Sequence, residues 1–187
     1  MLKTLKIFII VWPLILTSGA YAQNSKKNSI YIEALGNAVF YSINYDRTFK
    51  VSEHLNLIPR VGFMYFPLTS FKSNRDYSDV SIPLELNLTW HKNPATKNFP
   101  ELGLGLNFIG MIDGYSLDES GSKENISTRF GRVTTLRAGF RHQKREGGLM
   151  YRAGLLTPIT QDKFSENKVG DDIFYRLYIG FSVGYTF

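Results

Sequence analysis

Cysteine is missing from the whole 187-residue chain, which excludes disulfides, thiolate metal sites and a cysteine-linked lipid anchor. Histidine is scarce, with three residues in all, His54, His91 and His142. No amphipathic pattern of helical period runs for any length along the chain. An apolar run of the roughly 18 residues that a membrane-crossing helix requires is lacking too. The leading run, Ile7 to Leu16, is shorter than that and holds Pro13.

What stands around that run is a leader. Lys3 and Lys6 precede it, and Thr17, Ser18, Gly19 and the small-residue pattern Ala20-Tyr21-Ala22 follow. Charged region, apolar region and small-residue site are the order of an export signal. Residues 1–22 are therefore expected to be removed after Ala22, leaving a short N-terminal segment, 23–28, and one domain, 29–187. Loss of Lys3 and Lys6 lowers a formal charge of +6 by two.

The last fifteen residues alternate almost without error. Tyr175, Leu177, Ile179, Phe181, Val183, Tyr185 and Phe187 share one face, and Phe174, Arg176, Tyr178, Gly180, Ser182, Gly184 and Thr186 share the other. A period of two is that of a β-strand with chemically different sides. Seven further segments carry the pattern with varying clarity, and the eight strands are predicted near 29–36, 38–48, 55–66, 79–90, 99–110, 128–141, 149–158 and 173–187. In the fourth, Ile82, Leu84, Leu86, Leu88 and Trp90 oppose Pro83, Glu85, Asn87 and Thr89. In the fifth, Leu102, Leu104, Leu106 and Phe108 oppose Glu101, Gly103, Gly105 and Asn107. The sequence predicts an all-β fold, an eight-stranded antiparallel up-and-down transmembrane β-barrel.

Connections differ by edge. Those after strands two, four and six are compact and contain turn formers such as Asn93-Pro94 and Gly147-Gly148. Those after strands three, five and seven (67–78, 111–127 and 159–172) are longer, and only the first outer connection, near Gly36 and Asn37, is brief. Short turns on one edge and long loops on the other are the asymmetry of an outer-membrane barrel. Charge follows the same division. The compact edge and start of the mature chain gather Lys26, Lys27, Arg47, Lys50, Lys92, Lys97, Lys144 and Arg145 against Glu53 and Glu146 alone, whereas the long loops hold more acids than bases. Cations and aromatics are not interleaved in one stripe, as a nucleic-acid binder would require, so no nucleic-acid partner is expected.

Alternation alone does not say which face meets which solvent, because a soluble ligand-carrying barrel shows the same pattern turned inside out. The kind of polar residue separates the two. After the leader, no lysine falls inside a predicted strand, while the polar faces hold Glu33, Asp46, Arg60, Glu85, Glu101, Arg137, Arg152 and Arg176 among Gly, Ser, Asn and Thr. Water-exposed faces use lysine freely. A narrow lumen favours glycine for space and arginine for its planar fork, which bridges carboxylates. Eight strands enclose a lumen that side chains fill, so these residues are expected to form an internal ionic network and to plug the barrel. Aromatic residues near strand ends, among them Tyr41, Tyr45, Tyr65, Trp90, Phe99, Phe108, Tyr151, Tyr185 and Phe187, suit the two headgroup levels.

Together these features resemble the small eight-stranded outer-membrane barrels of Gram-negative bacteria. Ile179, Phe181, Tyr185 and terminal Phe187 look like the C-terminal signal by which barrel assembly machinery recognises its substrates. The resemblance implies bacterial outer-membrane localisation, with outer-membrane lipid and that machinery as partners. It does not carry a function over, since members include structural anchors, adhesion proteins and lipid A-modifying enzymes.

Chemistry is thinly represented. The enzymes of this architecture rely on a histidine and serine at the outer rim, and all three histidines map to the opposite edge. The acids of 113–124 and Asp171-Asp172 lack the spacing of a calcium loop. Gly103, Gly105 and Gly110 precede no helix and form no phosphate-binding turn. The reading is non-enzymatic, with no catalytic, cofactor or metal residue. It assigns a side-chain-filled barrel to envelope structure or to contact with a protein or glycan through outer loops that carry Phe71, Tyr77, Tyr115 and Phe164. Narrow transport of small solutes and lipid A modification are the alternatives.

Overall fold

The computed structural model describes residues 26–38, 40–70, 75–93, 95–117, 123–126, 129–161 and 177–187. The proposed leader, Tyr175, Arg176 and most of the outer connection 159–172 lie outside the described residues. Ten strand segments form one antiparallel sheet: β1 (Asn28–Ala34), β2 (Tyr41–Arg47), β3 (Phe49–Lys50), β4 (Leu55–Ser70), β5 (Arg75–Trp90), β6 (Asn98–Leu117), β7 (Lys123–Ile126), β8 (Arg129–His142), β9 (Gly148–Gln161) and β10 (Tyr178–Thr186). Two are short continuations: β3 prolongs β2 along β4, and β7 prolongs the stave of β8 along β6. The staves therefore number eight. Each pairs with its neighbours in the chain, β10 pairs with β1, and β2 pairs with β4, so the sheet closes on itself.

Closure sets β1 against β10 from Ser29↔Thr186 to Ala34↔Phe181. It is finished by reciprocal backbone bonds between Asn28 and Phe187, at 2.8 and 3.1 Å. Both ends of the described chain thus sit at the same end of the barrel as the compact turns, where Lys26 N–H also donates to the Arg145 carbonyl at 2.7 Å.

The burial pattern is the reverse of a soluble protein's. Outward positions are large and apolar, with Ile32, Ile43, Phe63, Leu104, Phe108, Leu155, Phe181 and Val183 all exposed, while inward positions such as Glu33, Asp46, Asn87, Arg141 and Arg152 are sealed from solvent. Since burial of apolar surface is the main favourable term in folding in water, a belt of bare leucine, isoleucine and phenylalanine marks this wall as one that meets hydrocarbon.

Three expectations need correction. The strands run further on the loop side than the alternation indicated: β4, β5, β6 and β9 reach Ser70, Arg75, Leu117 and Gln161, so segments read as loops are in part hairpin extensions. Beyond the bilayer neither face has to be apolar, and a strand there leaves no periodic trace. The two short segments that bring lysine into the sheet, Lys50 in β3 and Lys123 in β7, lie outside the predicted strand ranges and outside the apolar belt. Phe99 is 8% exposed and faces inward, in phase with Glu101, instead of standing in an outer aromatic band. The brief connection after β1 is not a simple turn between strands 29–36 and 38–48. It folds into the lumen, with Asn37 and Ala38 each 2% exposed.

Candidate functional site

The interior is a stack of polar layers built by the two-residue period of the strands. Arg60 of β4 and Glu85 of β5 are direct cross-strand partners, and Arg137 and Arg141 stand two inward positions apart on β8. The central layer is a square of alternating charge. Arg60 donates to Glu33 and, at 2.8 Å, to Glu85. Arg137 spans the same two carboxylates at 2.6 and 3.0 Å. Ser182 adds a hydroxyl to Glu33 at 3.2 Å, and Asn44 accepts from Arg60 Nη2 at 2.7 Å.

The layer beneath is joined to it through Arg152, whose Nη2 lies 3.0 Å from Glu85 and 2.6 Å from Glu101. Its Nη1 donates to the Tyr31 hydroxyl at 2.8 Å. The Tyr31 ring takes the guanidinium groups of both Arg60 and Arg152 against it, 5.6 and 5.7 Å from its centroid. Arg141 closes the chain with a bidentate bond to Asp46 at 2.8 and 2.9 Å and an approach of 3.6 Å to Glu101. Among the described residues, four arginines and four acids are thereby linked in one buried, charge-balanced network. Balance is a condition of the fold, since an uncompensated charge at such depth costs several kcal/mol.

Of the eight residues named from sequence, Glu33, Asp46, Arg60, Glu85, Glu101, Arg137 and Arg152 meet in this network, and Arg176 lies outside the described residues. Arg141 was missed as a member. Its signal was present: it shares the phase of Arg137 and Gly139 on one strand.

On the loop side the inward-folded connection caps the network. Asn37 N–H donates to the Glu33 carboxylate at 3.3 Å, Thr135 donates to the Asn37 side chain at 3.0 Å, and Asn107 donates to its carbonyl at 2.6 Å. Leu35 turns the chain inward at φ 59°. Gly36 is required there, because a Cβ at that position would lie 1.8 Å from a Glu33 carboxylate oxygen.

The opposite mouth is different. Below Arg141 and Gln143 the lumen widens into a vestibule of about 280 Å³. Its floor includes Ile58, Thr89, His91 and Phe99, and its rim carries Lys26, Lys27, Lys50, Lys144 and Arg145, with Glu146 as the one acid among the lining residues. His91 is 5% exposed, and neither of its ring nitrogens has a partner among the described residues. The hydroxyls of Thr48 and Thr89 are likewise buried and unpartnered. Burial, followed by the charges of Arg145, His54 and Lys50, pushes the His91 imidazole below its ordinary pKa. All three histidines lie at this end, where His91 N–H donates to the His54 carbonyl and His142 is the last residue of β8. Among the described residues no group of acids, histidines or cysteines is arranged to hold a metal ion.

No protein-family model and no curated protein matches the chain. Solved structures do. Ail, the attachment invasion locus protein of Yersinia pestis, solved in complex with the heparin analogue sucrose octasulfate, is similar at a TM-score of 0.50 and 12% identity, over 87% of this chain and 99% of that one. The N-terminal β-barrel domain of Pseudomonas aeruginosa OprF gives 0.47 and 12%, over 89% and 100%. Acinetobacter baumannii CarO gives 0.48 and 11%, over 87% and 97%. At 12% identity the likeness to Ail speaks to fold alone.

Proposed function

We propose that this chain, a closed eight-stranded barrel of the outer-membrane type, is a non-enzymatic envelope protein whose lumen passes no solute. Its apolar wall sits in the outer membrane and its work is done at the rims. The observation that carries this reading is the continuous network from Asp46 to Glu33, capped by Asn37. A solute would have to break several charge-assisted bonds at once, in a place where the separated charges have no water to turn to. Purified protein in a planar bilayer is expected to give no reproducible current steps. A stable open current would favour the alternative of a narrow channel and overturn the sealed lumen.

With the lumen closed, contact with a partner falls to the outer hairpins and loops. The long loops carry Asp113, Asp118, Glu119, Glu124, Asp162, Glu166, Asp171 and Asp172 against few bases, so a polyanion like the one bound to Ail would be repelled there. A basic or neutral protein or glycan surface fits better. A pull-down comparing the intact barrel with a loop-shortened form is expected to lose capture with the loops; equal capture by both forms would sink the role assigned to them. In the proposed orientation all three histidines face the periplasm, far from any outer-rim acyl substrate, which supports a barrel without lipid A chemistry. Mass spectrometry of lipid A from cells with and without the protein tests this, and a changed acyl pattern would refute it. The last strand and the Phe187 that follows it are proposed to be read by barrel assembly machinery during biogenesis.

A further inference from the structure

We propose that the vestibule at the turn end of the barrel is a binding site for a small oxyanion, a phosphate, sulfate or carboxylate group presented from the periplasmic side. Three observations converge on it. The rim concentrates positive charge: Lys26, Lys27, Lys50, Lys144 and Arg145 surround the opening and Glu146 is the one acid among them. A concave, low-dielectric cup lined by one sign of charge focuses its field on whatever enters. The residues that line it also carry hydrogen-bonding groups that nothing among the described residues uses, buried in its wall: both ring nitrogens of His91 and the hydroxyls of Thr89 and Thr48. Buried polar groups are nearly always paired, and here three orphaned side chains line one cavity.

The chemistry of the floor agrees with the charge of the rim. Hydroxyl and imidazole N–H groups donate to oxyanion oxygens, and ammonium and guanidinium groups complete the shell with charge-assisted bonds. A cation would meet the rim's repulsion. The volume, about 280 Å³, is below the roughly 300–1,000 Å³ typical of sites that enclose a drug-sized molecule. It suits one small anion or one anionic group at the tip of something larger. The site is closed to through-passage, because Gln143 in its lining accepts from Arg141, which Asp46 holds in the network above. Among the described residues the network above balances four arginines against four acids and leaves no net charge to hold an anion. The vestibule does.

His91 supplies a reporter. Its imidazole stands below its ordinary pKa because it is buried and because Arg145, His54 and Lys50 surround it; the other charged groups of the vestibule are Lys26, Lys27, Lys144 and Glu146. An anion placed among them offsets part of that positive field and moves the pKa upward, so binding takes up a proton and tightens as the pH falls.

The test uses the full barrel folded in zwitterionic detergent at low ionic strength, with inorganic phosphate and glucose 6-phosphate titrated separately. Calorimetry measures affinity, and the His91 ring signals are followed by NMR. Saturable binding of either anion is expected, with a His91 shift and an affinity weakened by about tenfold or more in Lys50→Gln/Lys144→Gln, whose changes lie on the exposed rim. Tighter binding of inorganic phosphate would identify a free ion, and tighter binding of the ester an anionic group on a larger molecule. Should a correctly folded barrel show no saturable heat and no His91 shift with either probe, or should the double variant bind as well as the parent, the proposal is overturned. Sulfate, which does not titrate near neutrality, provides the pH arm: its affinity is expected to rise on acidification in the parent and to lose that slope in His91→Gln.

Discussion

Arg141 of β8 and Arg152 of β9 are cross-strand partners, two guanidinium groups side by side and both sealed from water. Like charges directly opposite one another are destabilising. Glu101, reaching across from β6, answers both, at 3.6 Å from Arg141 and 2.6 Å from Arg152, while Asp46 and Glu85 hold the outer flanks of the pair. The sheet places the repulsion, and the closed barrel brings the acids that cancel it.

Removing Glu101 should therefore cost more than one salt bridge. Glu101→Gln leaves the two arginines short of an anion, and a loss of about 3–5 kcal/mol is expected, read as a lower urea midpoint for the barrel folded in lipid vesicles. Glu101→Leu combined with Arg152→Met removes one charge of each sign and is expected to recover much of that loss. An unchanged midpoint in Glu101→Gln would mean that the network is not what orders the lumen.

Orientation has its own test on the outer wall. Leu104 is 52% exposed and lies in the apolar belt. Arg at this position should destabilise the vesicle-folded barrel by about 2–4 kcal/mol, the range for a cation near the bilayer midplane. On a water-facing wall the same change would be close to neutral, so a negligible effect would place this face outside the membrane.

The seam between the first and last strands leaves no room for a side chain at Gly184. A Cβ there would stand 2.1 Å from the Ile30 carbonyl oxygen and 2.3 Å from the Tyr31 Cβ. Gly184→Val is expected to cost about 1–3 kcal/mol or more by overpacking, seen as reduced refolding yield and a lower unfolding midpoint. Full tolerance of valine would contradict the β1–β10 register.

The pH dependence of the turn end follows from His91. Its folded pKa lies below its ordinary value, so over that interval the unfolded chain binds more protons than the folded one. The corresponding stability is present above the ordinary histidine range, near pH 6.5, and is lost as the pH falls through the lower folded value. Without added anion, His91→Gln should flatten this part of the stability profile while leaving the plateau at pH 8 nearly in place. A profile identical to the parent's would remove His91 from the account.

Legibility varied along the chain for physical reasons. Inside the bilayer each residue faces either lipid or a packed polar lumen, and the two demand opposite chemistry, so alternation in segments such as Leu102 to Asn107 exposed strand, phase and face together. Above the bilayer both sides of a hairpin meet water, and the continuation of β6 to Leu117 left no period to read. The inward fold of Asn37 was hidden because a short polar turn looks the same in sequence whether it points to solvent or into a lumen. Arg141 was written in phase with Arg137, but membership depended on reaching Asp46 on β2, far away in the chain.

The order of residues by itself determined the period of two, the apolar wall, the inward placement of arginine and acid, and the gathering of cations at the turn end, because each is a local consequence of side-chain chemistry along a strand. Only the closed tertiary structure decided which arginine meets which carboxylate, that the first loop seals the lumen, and that His91, Thr48 and Thr89 line one basic cup. Those relations join staves distant in sequence, and they exist only once β1 and β10 have paired to bend the sheet into a cylinder.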